Sequence, residues 1–516
     1  MGTYVMGIDV GTTGTKAMVF DVTGALIGKG YREYTLSEPR PNWVEIGAAF
    51  LERITFEAVK DAVADSGVDP GEIAAIGFSV QRSTFTLVDE NLTAIDDKFY
   101  VWLDSRAESV MEELNAKISP ERRSEITGLP GANIYAIDKL YWIMKNEPQT
   151  YAKTRYLATV ECYMQRAFGA DTFAVEISNG TVTGLFDVRT LDWNKEVAEK
   201  LGFDMAKFPP LVKPGEVVGT VTAEVARKTG LAAGTKIVAG SGDQQCGAMG
   251  AGVIRDGAMS LTIGTYGQLT IGLAKPDFPA LYGLMMPTTP ALGVFQMEGA
   301  QVSGAVCYRW LRDTLCAEEI AEGEARGVDP YILMTEKYIR KSPPGSNGVL
   351  FYSALFGSGY PTWDTNATGM FLGLRSTHTK ADMVRAVMEG VTLEARNILE
   401  SALATGVKAE KVITVTGGAS KSAEWCQIIA DVLNLKVRTL NVPDATVLAA
   451  AGLAAMGAGI YRSLDEIVEK MVHFGETYDP IPANAAVYTR SFAVYKAAYE
   501  GLKGAGVFAK LAELRA

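Results

Sequence analysis

The sequence predicts an α/β protein of two similar domains, and three observations lead to that prediction. A chain of 516 residues is too long for one hydrophobic core. Near the N-terminus, residues 4–20 read as an apolar β-type run, a turn rich in glycine and threonine, and a second apolar run, which is the pattern of a β-hairpin. Residues 258–273 repeat this pattern. One such hairpin in each half of the chain indicates two domains of the same kind, with bounds expected at 1–246 and 247–516.

The composition excludes several classes of protein. Hydrophobic residues make up 48% of the chain and charged residues 21%, which is ordinary for a globular protein. A net charge of −11 argues against a nucleic-acid binder and leaves small molecules or proteins as partners. The five scattered cysteines lack a C-x-x-C pair, which predicts reduced, mostly buried thiols in a cytoplasmic protein. We expect no signal peptide and no membrane span, and two histidines make a histidine-based metal site improbable.

The turn of the first hairpin has the chemistry of an anion site. Asp9 ends the first apolar run, and Gly11, Thr12, Thr13 and Gly14 follow it. Backbone N–H groups and hydroxyls in such a turn can bind phosphate, and a carboxylate beside them can hold a divalent cation. The turn joins two strands, unlike a P-loop, in which a strand leads into a helix. A purely structural turn is the alternative for one hairpin alone, but the repeat favours one polyphosphate bound by both domains.

Local patterns predict the remaining elements of the first half, with helices from apolar residues at helical spacing and strands from short β-type apolar runs. In order they are a strand over 25–34, a loop over 39–45, a helix over 46–66, a strand over 73–80, helices over 107–117, 120–127, 136–146, 158–168 and 194–201, and a strand over 235–240.

Polar residues follow two of these strands. Gln81 and Arg82 come directly after the strand over 73–80, at the end of a sheet strand where open α/β sheets bind ligands. Trp102 precedes Asp104 and Arg106. Its ring face could stack on a sugar while the charged neighbours bind hydroxyls, and a core aromatic is the alternative.

Asp243 follows the strand over 235–240 and precedes Gln244 and Gln245. A primary alcohol that attacks a γ-phosphoryl group must lose its proton, and a carboxylate at this position can accept it. An aspartate that only caps a turn is the alternative.

The second half shows a further nucleotide-like arrangement. The strand over 412–416 runs into Gly417 and Gly418, and Ser422 precedes a helix from 423. Backbone without side chains lets an adenosine lie close. The other expected elements are a strand over 294–298, a helix over 302–315, a helical insertion over 317–347 and helices over 380–404, from 444 and over 487–505.

Taken together, these motifs resemble the FGGY carbohydrate kinases of the actin, hexokinase and sugar-kinase superfamily over essentially the full length. The run from Gly369 to Glu389 fits the C-terminal FGGY signature. The N-terminal signature is only partly met, because Ile134 and Ala136 depart from the usual residue types. The resemblance implies two RNase H-like domains with a central cleft for ATP and sugar, which would close around a hinge near residues 245–256.

The resemblance also implies roles for single residues, with ATP and Mg²⁺ as cofactors, a sugar as the partner and a homodimer as a possible assembly. Asp243 would be the catalytic base. The remaining roles would be Asp9 and Asp243 for metal, Thr12, Thr13, Gly264 and Thr265 for phosphates, Gly304, Gly417, Gly418 and Ser422 for ATP, and Gln81, Arg82, Trp102, Asp243 and Gln244 for the sugar.

The substrate is open to several readings. Gln81 and Arg82 resemble glycerol kinases, yet Ser83 stands where those enzymes carry the glutamate that binds glycerol. Residues 310–319 and 342–346 resemble autoinducer-2 kinases, and the overall layout equally resembles xylulokinases. We favour a pentulose such as xylulose, with autoinducer-2 or a glycerol- or erythritol-type polyol as alternatives. A non-catalytic sugar sensor is disfavoured because Asp9 and Asp243 are both present.

Overall fold

The computed structural model describes residues 3–276, 288–289, 294–442 and 444–514. The chain forms two compact units. Unit 1 comprises Met1–Asp256, Gly272–Met297 and Asn441–His473, and unit 2 comprises Gly257–Ile271, Glu298–Leu440 and Phe474–Ala516. The domain bounds at 246 and 247 stay a prediction.

The strands are β1 (Tyr4–Val10), β2 (Gly14–Asp21), β3 (Leu26–Glu33), β4 (Ser37–Arg40), β5 (Trp43–Gly47), β6 (Ile73–Val80), β7 (Phe85–Val88), β8 (Lys98–Tyr100), β9 (Tyr156–Thr159), β10 (Val175–Glu176), β11 (Phe186–Asp187), β12 (Asp192–Trp193), β13 (Leu211–Val212), β14 (Val217–Thr220), β15 (Lys236–Gly242), β16 (Met259–Ile263), β17 (Gly267–Leu273), β18 (Thr288–Thr289), β19 (Val294–Gln301), β20 (Leu350–Tyr352), β21 (Met370–Leu372), β22 (Val412–Gly417), β23 (Lys436–Leu440) and β24 (Phe474–Tyr478).

The α-helices are α1 (Ala48–Ser66), α2 (Met111–Lys117), α3 (Pro120–Thr127), α4 (Ala136–Asn146), α5 (Pro148–Lys153), α6 (Val160–Phe168), α7 (Ile177–Thr181), α8 (Lys195–Leu201), α9 (Ala223–Thr229), α10 (Asp243–Gly250), α11 (Val306–Leu315), α12 (Ala317–Arg326), α13 (Pro330–Met334), α14 (Lys380–Leu403), α15 (Ala423–Leu433), α16 (Ala445–Ala458), α17 (Leu464–Met471), α18 (Pro482–Gly504) and α19 (Val507–Glu513).

Unit 1 is built on a six-stranded sheet in the order β14-β15-β6-β1-β2-β3. β1 and β2 form the predicted antiparallel hairpin, in which Asp9 lies opposite Lys16. β6 runs parallel to β1 and places Ser79 beside Asp9, and β15 runs parallel to β6 and places Ser241 beside Ser79. Because parallel strands end at the same edge of a sheet, Asp9 and the residues that follow β6 and β15 share one edge.

Glycines allow helix α16 to lie directly on this sheet. Gly7 and Gly77 are neighbours on β1 and β6. A Cβ atom on Gly7 would lie 2.1 Å from the carbonyl oxygen of Val447, and one on Gly77 would lie 2.3 Å from that of Ala450. Helix α16 consists mainly of alanine and other apolar residues, so it can be buried on all sides. Helices α1 and α6 pack together through Phe56 and Phe168, whose ring centroids are 4.8 Å apart.

The predicted loop over 39–45 is wrong, because β4 and β5 form an antiparallel hairpin there. They belong to a five-stranded sheet of unit 1 with the order β4-β5-β8-β7-β9. In β5, Val44 and Ile46 are buried and alternate with half-buried Trp43 and Glu45, the period of a strand. β4 is the exposed edge strand, a position that tolerates Pro39. Helix α1 consequently begins at Ala48, two residues later than predicted.

The second large sheet of the protein, which includes β16, β22 and β23 of unit 2, repeats the arrangement found in unit 1. It contains seven strands in the order β18-β19-β17-β16-β22-β23-β24. The antiparallel hairpin of β16 and β17 confirms the second predicted hairpin, β22 runs parallel to β16, and β23 runs parallel to β22. The order β17-β16-β22-β23 thus matches β2-β1-β6-β15 of unit 1, because in both a hairpin is followed on one side by two parallel strands. The predicted fold, two α/β domains of the same kind, is thereby confirmed.

Several smaller expectations have clear outcomes. All five cysteines are buried and form no disulfide bonds, as predicted. Within the parts of the chain that the structure describes, no helix is both long and apolar enough to cross a membrane. The helix predicted over 487–505 is confirmed as α18, and a further short helix that was not predicted, α19, follows it after Gly506, which has a φ of 68°. A left-handed backbone conformation ends a helix, and glycine adopts it at little cost.

Candidate active site

Asp9 lies at the end of β1 in a network of charged groups in unit 1. The Ser79 hydroxyl donates a hydrogen bond of 2.8 Å to Asp9 Oδ1. Lys16, on the paired strand, contacts Asp444 with 3.0 Å between Nζ and Oδ2. The other oxygen of Asp444 accepts hydrogen bonds from the amides of Thr446 and Val447 and thereby caps helix α16. The first hairpin and the N-terminus of α16 are thus joined by one ion pair.

The electrostatics of Asp9 suit a bound cation. Burial and the negative charge of Asp444 raise the pKa of Asp9 to about 7, although the positive charge of Lys16 and the hydrogen bond from Ser79 lower it. A divalent cation would remove this excess of negative charge, and carboxylate oxygens are ligands that Mg²⁺ prefers. Among the described residues, no group of three His, Cys, Asp or Glu side chains could hold a metal ion by itself. The site therefore fits an ion that takes its other ligands from water or from substrate phosphate.

The turn of the first hairpin is held by several hydrogen bonds. The Gly11 amide donates to the Gly14 carbonyl at 3.0 Å and closes the turn. The Trp102 indole N–H donates to the Thr12 hydroxyl at 3.0 Å. Thr13 is exposed, and its carbonyl accepts the Tyr34 amide at 3.0 Å. Of the two phosphate ligands predicted in this hairpin, Thr13 faces solvent and Thr12 is bound to Trp102.

Gln81 connects the hairpin to Trp102. Its side chain is buried, and its amide nitrogen donates to the Gly11 carbonyl at 2.9 Å. The Thr84 hydroxyl donates to the Gln81 side-chain oxygen at 3.0 Å and accepts the Trp102 amide at 3.0 Å. Both ends of the Gln81 side chain therefore bind the protein itself, while Trp102 is half-buried. Direct contact of Gln81 and Trp102 with a sugar stays a prediction.

Asp243 is the first residue of helix α10, directly after β15. Arg82 lies beside it, with 3.4 Å between Arg82 Nε and Asp243 Oδ1. The backbone N–H of Gln244 donates to the same oxygen at 2.7 Å. Gly242 makes this approach possible, because a Cβ atom there would lie 2.6 Å from Arg82 Cδ. The guanidinium and the helix N-terminus both place positive charge beside this carboxylate.

The second group of predicted residues lies around a cavity of about 780 Å³ in unit 2. This volume lies within the range of small-molecule and cofactor sites. One wall is aromatic, since Tyr308 stacks on Tyr331 at 5.3 Å between centroids and meets the Trp425 ring edge-on at 5.5 Å. The remaining lining residues include Gly264, Thr265, Ala305, Val306, Arg309, Asp329, Thr335, Glu336, Arg340, Met388, Gly418, Lys421, Ser422 and Glu424.

Two of the six residues predicted to contact nucleotide in this unit do not line the cavity. Gly304 lies against the turn of the second hairpin, where its amide donates to the Thr265 carbonyl at 3.1 Å. A Cβ atom on Gly304 would lie 2.6 Å from the Tyr266 backbone. Gly417 has a φ of 79°, and a Cβ atom there would lie 2.6 Å from the Ile263 carbonyl oxygen. Both glycines let backbone segments pack closely beneath the cavity.

The sequence reasoning missed several residues of both groups. In unit 1 it did not identify Lys16, Ser79 and Asp444 as neighbours of Asp9, although Lys16 lies in the hairpin motif itself. In unit 2 it missed the aromatic wall of Tyr308, Tyr331 and Trp425. The position of Trp425 could have been predicted, because it lies three residues after Ser422, a residue type that caps helices. In the structure the Ser422 hydroxyl accepts the Trp425 backbone N–H at 3.2 Å.

Comparison with known proteins identifies the family. Residues 4–250 match the N-terminal domain of the FGGY family of carbohydrate kinases, and residues 259–458 match its C-terminal domain. Autoinducer-2 kinase of Salmonella choleraesuis (strain SC-B67) is 29% identical over 512 residues, covering 97% of this chain and 94% of that protein. Xylulose kinase of Staphylococcus epidermidis (strain ATCC 12228 / FDA PCI 1200) is 28% identical over 501 residues, covering 97% of both chains.

Solved structures show the same fold. The ligand-bound xylulose kinase from Lactobacillus acidophilus is similar with a TM-score of 0.88 at 24% identity, covering 98% of this chain and 99% of that one. Plasmodium falciparum glycerol kinase with ADP is similar with a TM-score of 0.85 at 20% identity, covering 96% of this chain and 98% of that one. With both family domains matched in order, the protein belongs to the FGGY family of carbohydrate kinases.

Proposed function

We propose that the protein transfers the γ-phosphate of ATP to a primary hydroxyl of a ketose, with a pentulose such as xylulose as the preferred substrate. The observation that carries this proposal is the position of Asp243. Its carboxylate begins helix α10, lies 3.4 Å from Arg82 Nε and shares a sheet edge with Asp9. A base for the sugar hydroxyl and a carboxylate for the metal–phosphate complex are the two groups that phosphoryl transfer requires here.

Asp243 would act as the general base. It would accept the proton of the primary hydroxyl as the hydroxyl oxygen attacks the γ-phosphoryl group. Arg82 would keep the carboxylate ionised and oriented before the reaction, because a neighbouring cation favours the charged form. After transfer, the proton would leave from Asp243 to solvent.

Asp9 would hold Mg²⁺, with Ser79 orienting the carboxylate through its hydrogen bond of 2.8 Å. The bound ion would supply positive charge against the phosphates of ATP. The Gly11–Gly14 turn, with Thr12 and Thr13, would bind phosphate through N–H and hydroxyl groups. Lys16 would limit the repulsion between Asp9 and Asp444, because it pairs with Asp444 at 3.0 Å.

ATP would bind in the cavity of unit 2. The aromatic wall formed by Tyr308, Tyr331 and Trp425 offers apolar surface to a purine. Gly264 and Thr265 of the second hairpin also line this cavity. Glycerol kinase of Plasmodium falciparum, a protein of the same fold, has been solved with ADP. The ADP in that structure is consistent with ATP as the phosphoryl donor of the present protein.

The preference for a five-carbon ketose rests on Ser83. Its hydroxyl donates to the Val182 carbonyl at 2.7 Å, and its φ of 56° is an uncommon backbone conformation for a residue with a side chain. The short side chain is thus bound to the protein, where glycerol kinases would extend a glutamate. This leaves more room for a substrate longer than glycerol.

Autoinducer-2 is the second candidate substrate. Curated relatives from Salmonella, Yersinia and Escherichia coli carry the name autoinducer-2 kinase at 28–29% identity over nearly the whole chain. The xylulose kinases are 26–28% identical over the same share of the chain. These values are too similar to choose between the two substrates, so the assay must include both.

The proposal is tested by steady-state kinetics of the wild-type protein and the Asp243→Asn variant, with xylulose, ribulose, glycerol, erythritol and the open-chain form of autoinducer-2 as substrates. We expect xylulose to give the highest kcat/KM. Asp243→Asn should lower kcat by about 10²-fold or more, the usual scale of general-base catalysis. ATP binding should persist, because the cavity in unit 2 is formed by other residues.

Asp204→Asn is the matched control, because Asp204 is another aspartate at the start of a helical turn but lies outside the site. It should keep wild-type turnover. Near-normal turnover of Asp243→Asn would refute the role of the base. A higher kcat/KM for autoinducer-2 or for a polyol would overturn the pentulose assignment, and binding without phosphorylation of any compound would favour a sugar sensor.

A further inference from the structure

A cluster of buried polar side chains lies directly behind Asp243 in unit 1. We call it the buried clamp, and it consists of Glu161, Glu176, Ser178 and Asn179. None of the four is more than 2% exposed. They belong to helix α6, to the end of β10 and to helix α7. Burial of two carboxyl groups costs free energy unless they are hydrogen-bonded. The hydrogen-bond partners of Glu161 and Glu176 therefore indicate the role of the clamp.

The clamp binds the backbone of β15 just before Asp243. Glu161 Oε1 accepts the Gly240 amide at 2.6 Å. Ser178 Oγ accepts the Gly242 amide at 3.0 Å. Both N–H groups therefore donate to side chains of the clamp. On its other side, β15 approaches β6 so closely that a Cβ atom on Gly240 would lie 1.6 Å from the Phe78 carbonyl oxygen.

The direction of the Ser178 hydroxyl is determined by its partners. The Ser178 hydroxyl donates to Glu176 Oε2 at 2.5 Å. The lone pairs of Ser178 are then left for the Gly242 amide and for the Ser241 hydroxyl, which lies 2.6 Å away. Every hydrogen-bonding capacity of this hydroxyl is therefore used, and it holds the residue that precedes Asp243.

Asn179 connects the two carboxylates of the clamp. Its side-chain amide donates to Glu161 at 2.7 Å and to Glu176 at 3.2 Å. Burial raises the pKa of both glutamates, and the repulsion between them raises the pKa of Glu161 further. Asn179 is the neutral donor that lets two such groups share one buried site, which argues for a specific arrangement rather than simple packing.

We propose that Ser178 is a positioning residue for Asp243, through its hydrogen bond to the Gly242 amide. This inference rests on the proposed function, because it concerns the same base. Without the hydroxyl, the Gly242 N–H would lose this buried acceptor. The peptide group before Asp243 would then no longer be held in one orientation, and neither would the Asp243 side chain. A displacement of about 1 Å in a reacting group can cost about 10²-fold in rate.

The test compares Ser178→Ala with the wild-type protein by kcat, by KM for ATP and by thermal stability. We expect kcat to fall by about 10- to 100-fold, with KM for ATP changed by less than about twofold. Thr229→Val is the matched control. Thr229 is a fully buried residue of unit 1, and its hydroxyl bonds to the Val225 carbonyl at 2.8 Å on helix α9. The Thr229→Val variant should be less stable than the wild-type protein but keep the wild-type kcat.

The double variant Ser178→Ala/Asp243→Asn separates positioning from a structural role. If Ser178 acts through Asp243, the double variant should have the kcat of Asp243→Asn alone, because residues acting as one unit are not additive. Equal losses from Ser178→Ala in both backgrounds would overturn the inference while leaving the base assignment intact. Near-normal turnover of Asp243→Asn would instead refute the proposed function.

A second variant keeps the test informative should Ser178→Ala fold poorly. Glu176→Gln preserves the size of the side chain but replaces one of its two acceptor oxygens with an NH₂ group, so it can no longer accept from both the backbone amide and the hydroxyl of Ser178 as Glu176 does. The hydroxyl would then lose its fixed direction, and kcat should fall between those of the wild-type protein and Ser178→Ala. Wild-type kcat in a folded Glu176→Gln protein would count against the inference.

Discussion

Glu394 on helix α14 should make the stability of the protein depend on pH near neutrality. Its side chain is 4% exposed, and its Oε2 accepts a hydrogen bond of 2.8 Å from the hydroxyl of Tyr495 on helix α18. Burial raises the pKa of Glu394 from its ordinary value of 4.5 to about 7, which outweighs the lowering by the Tyr495 hydroxyl. A carboxyl group with a pKa raised by burial is more stable folded when it carries its proton.

The sign and size of the effect follow from this rise. Between pH 4.5 and about pH 7, the folded protein keeps a proton on Glu394 that the unfolded chain releases. The free energy of unfolding therefore falls as the pH rises through this window and becomes level above it. Each pKa unit is worth about 1.4 kcal/mol, so the loss amounts to about 3 kcal/mol from this group.

Glu394→Gln removes the ionisation while its amide oxygen can still accept the Tyr495 hydroxyl. The variant should match the wild-type protein near about pH 4 and exceed its free energy of unfolding by about 3 kcal/mol near about pH 8. Urea denaturation followed by tryptophan fluorescence across this range measures the difference. Glu400→Gln, on the same helix with a side chain 42% exposed, controls for the change in net charge. Parallel pH curves for the wild-type protein and Glu394→Gln would refute the reasoning.

Two further predictions concern the metal and the nucleotide. Asp9→Ala should lower the rate with Mg²⁺·ATP and raise the Mg²⁺ concentration needed for half-maximal activity, because Asp9 is the proposed metal ligand. An unchanged Mg²⁺ titration would leave Asp9 a structural turn residue. Ser422→Ala should destabilise the protein by about 1 kcal/mol, because the Ser422 hydroxyl caps helix α15 by accepting the Trp425 amide at 3.2 Å. It should also raise KM for ATP through movement of the cavity wall, and unchanged thermal stability and KM would contradict both expectations.

Both hairpins could be predicted from the sequence because they are local. β1 and β2 span Tyr4–Val10 and Gly14–Asp21, and β16 and β17 span Met259–Ile263 and Gly267–Leu273, close to the predicted 4–20 and 258–273. Each hairpin closes within about twenty residues, so turn chemistry and apolar alternation carry all the information needed. Long helices such as α14 were predicted for the same reason.

The hairpin of β4 and β5 was missed because its strand character depends on distant residues. Pro39 and Pro41 read locally as a loop, but β5 pairs with β8, where Ile46 lies opposite Phe99. Burial of Ile46 and Phe99 stabilises the pairing of β5 with β8, and β5 in turn supports β4, whose own residues have little strand propensity. An edge position for β4 then accommodates the proline.

By itself, the sequence determined the two hairpins, the place of Asp243 after a buried strand and the glycine-rich turns, because each depends on neighbours within a few residues. Only the tertiary structure decided what surrounds them. Lys16 and Asp444 are 428 residues apart and form an ion pair, and Glu161 and Gly240 are 79 residues apart and form a hydrogen bond. The protonation of Asp9 and the orientation of Asp243 depend on such contacts, since burial and nearby charge arise only when distant segments pack together.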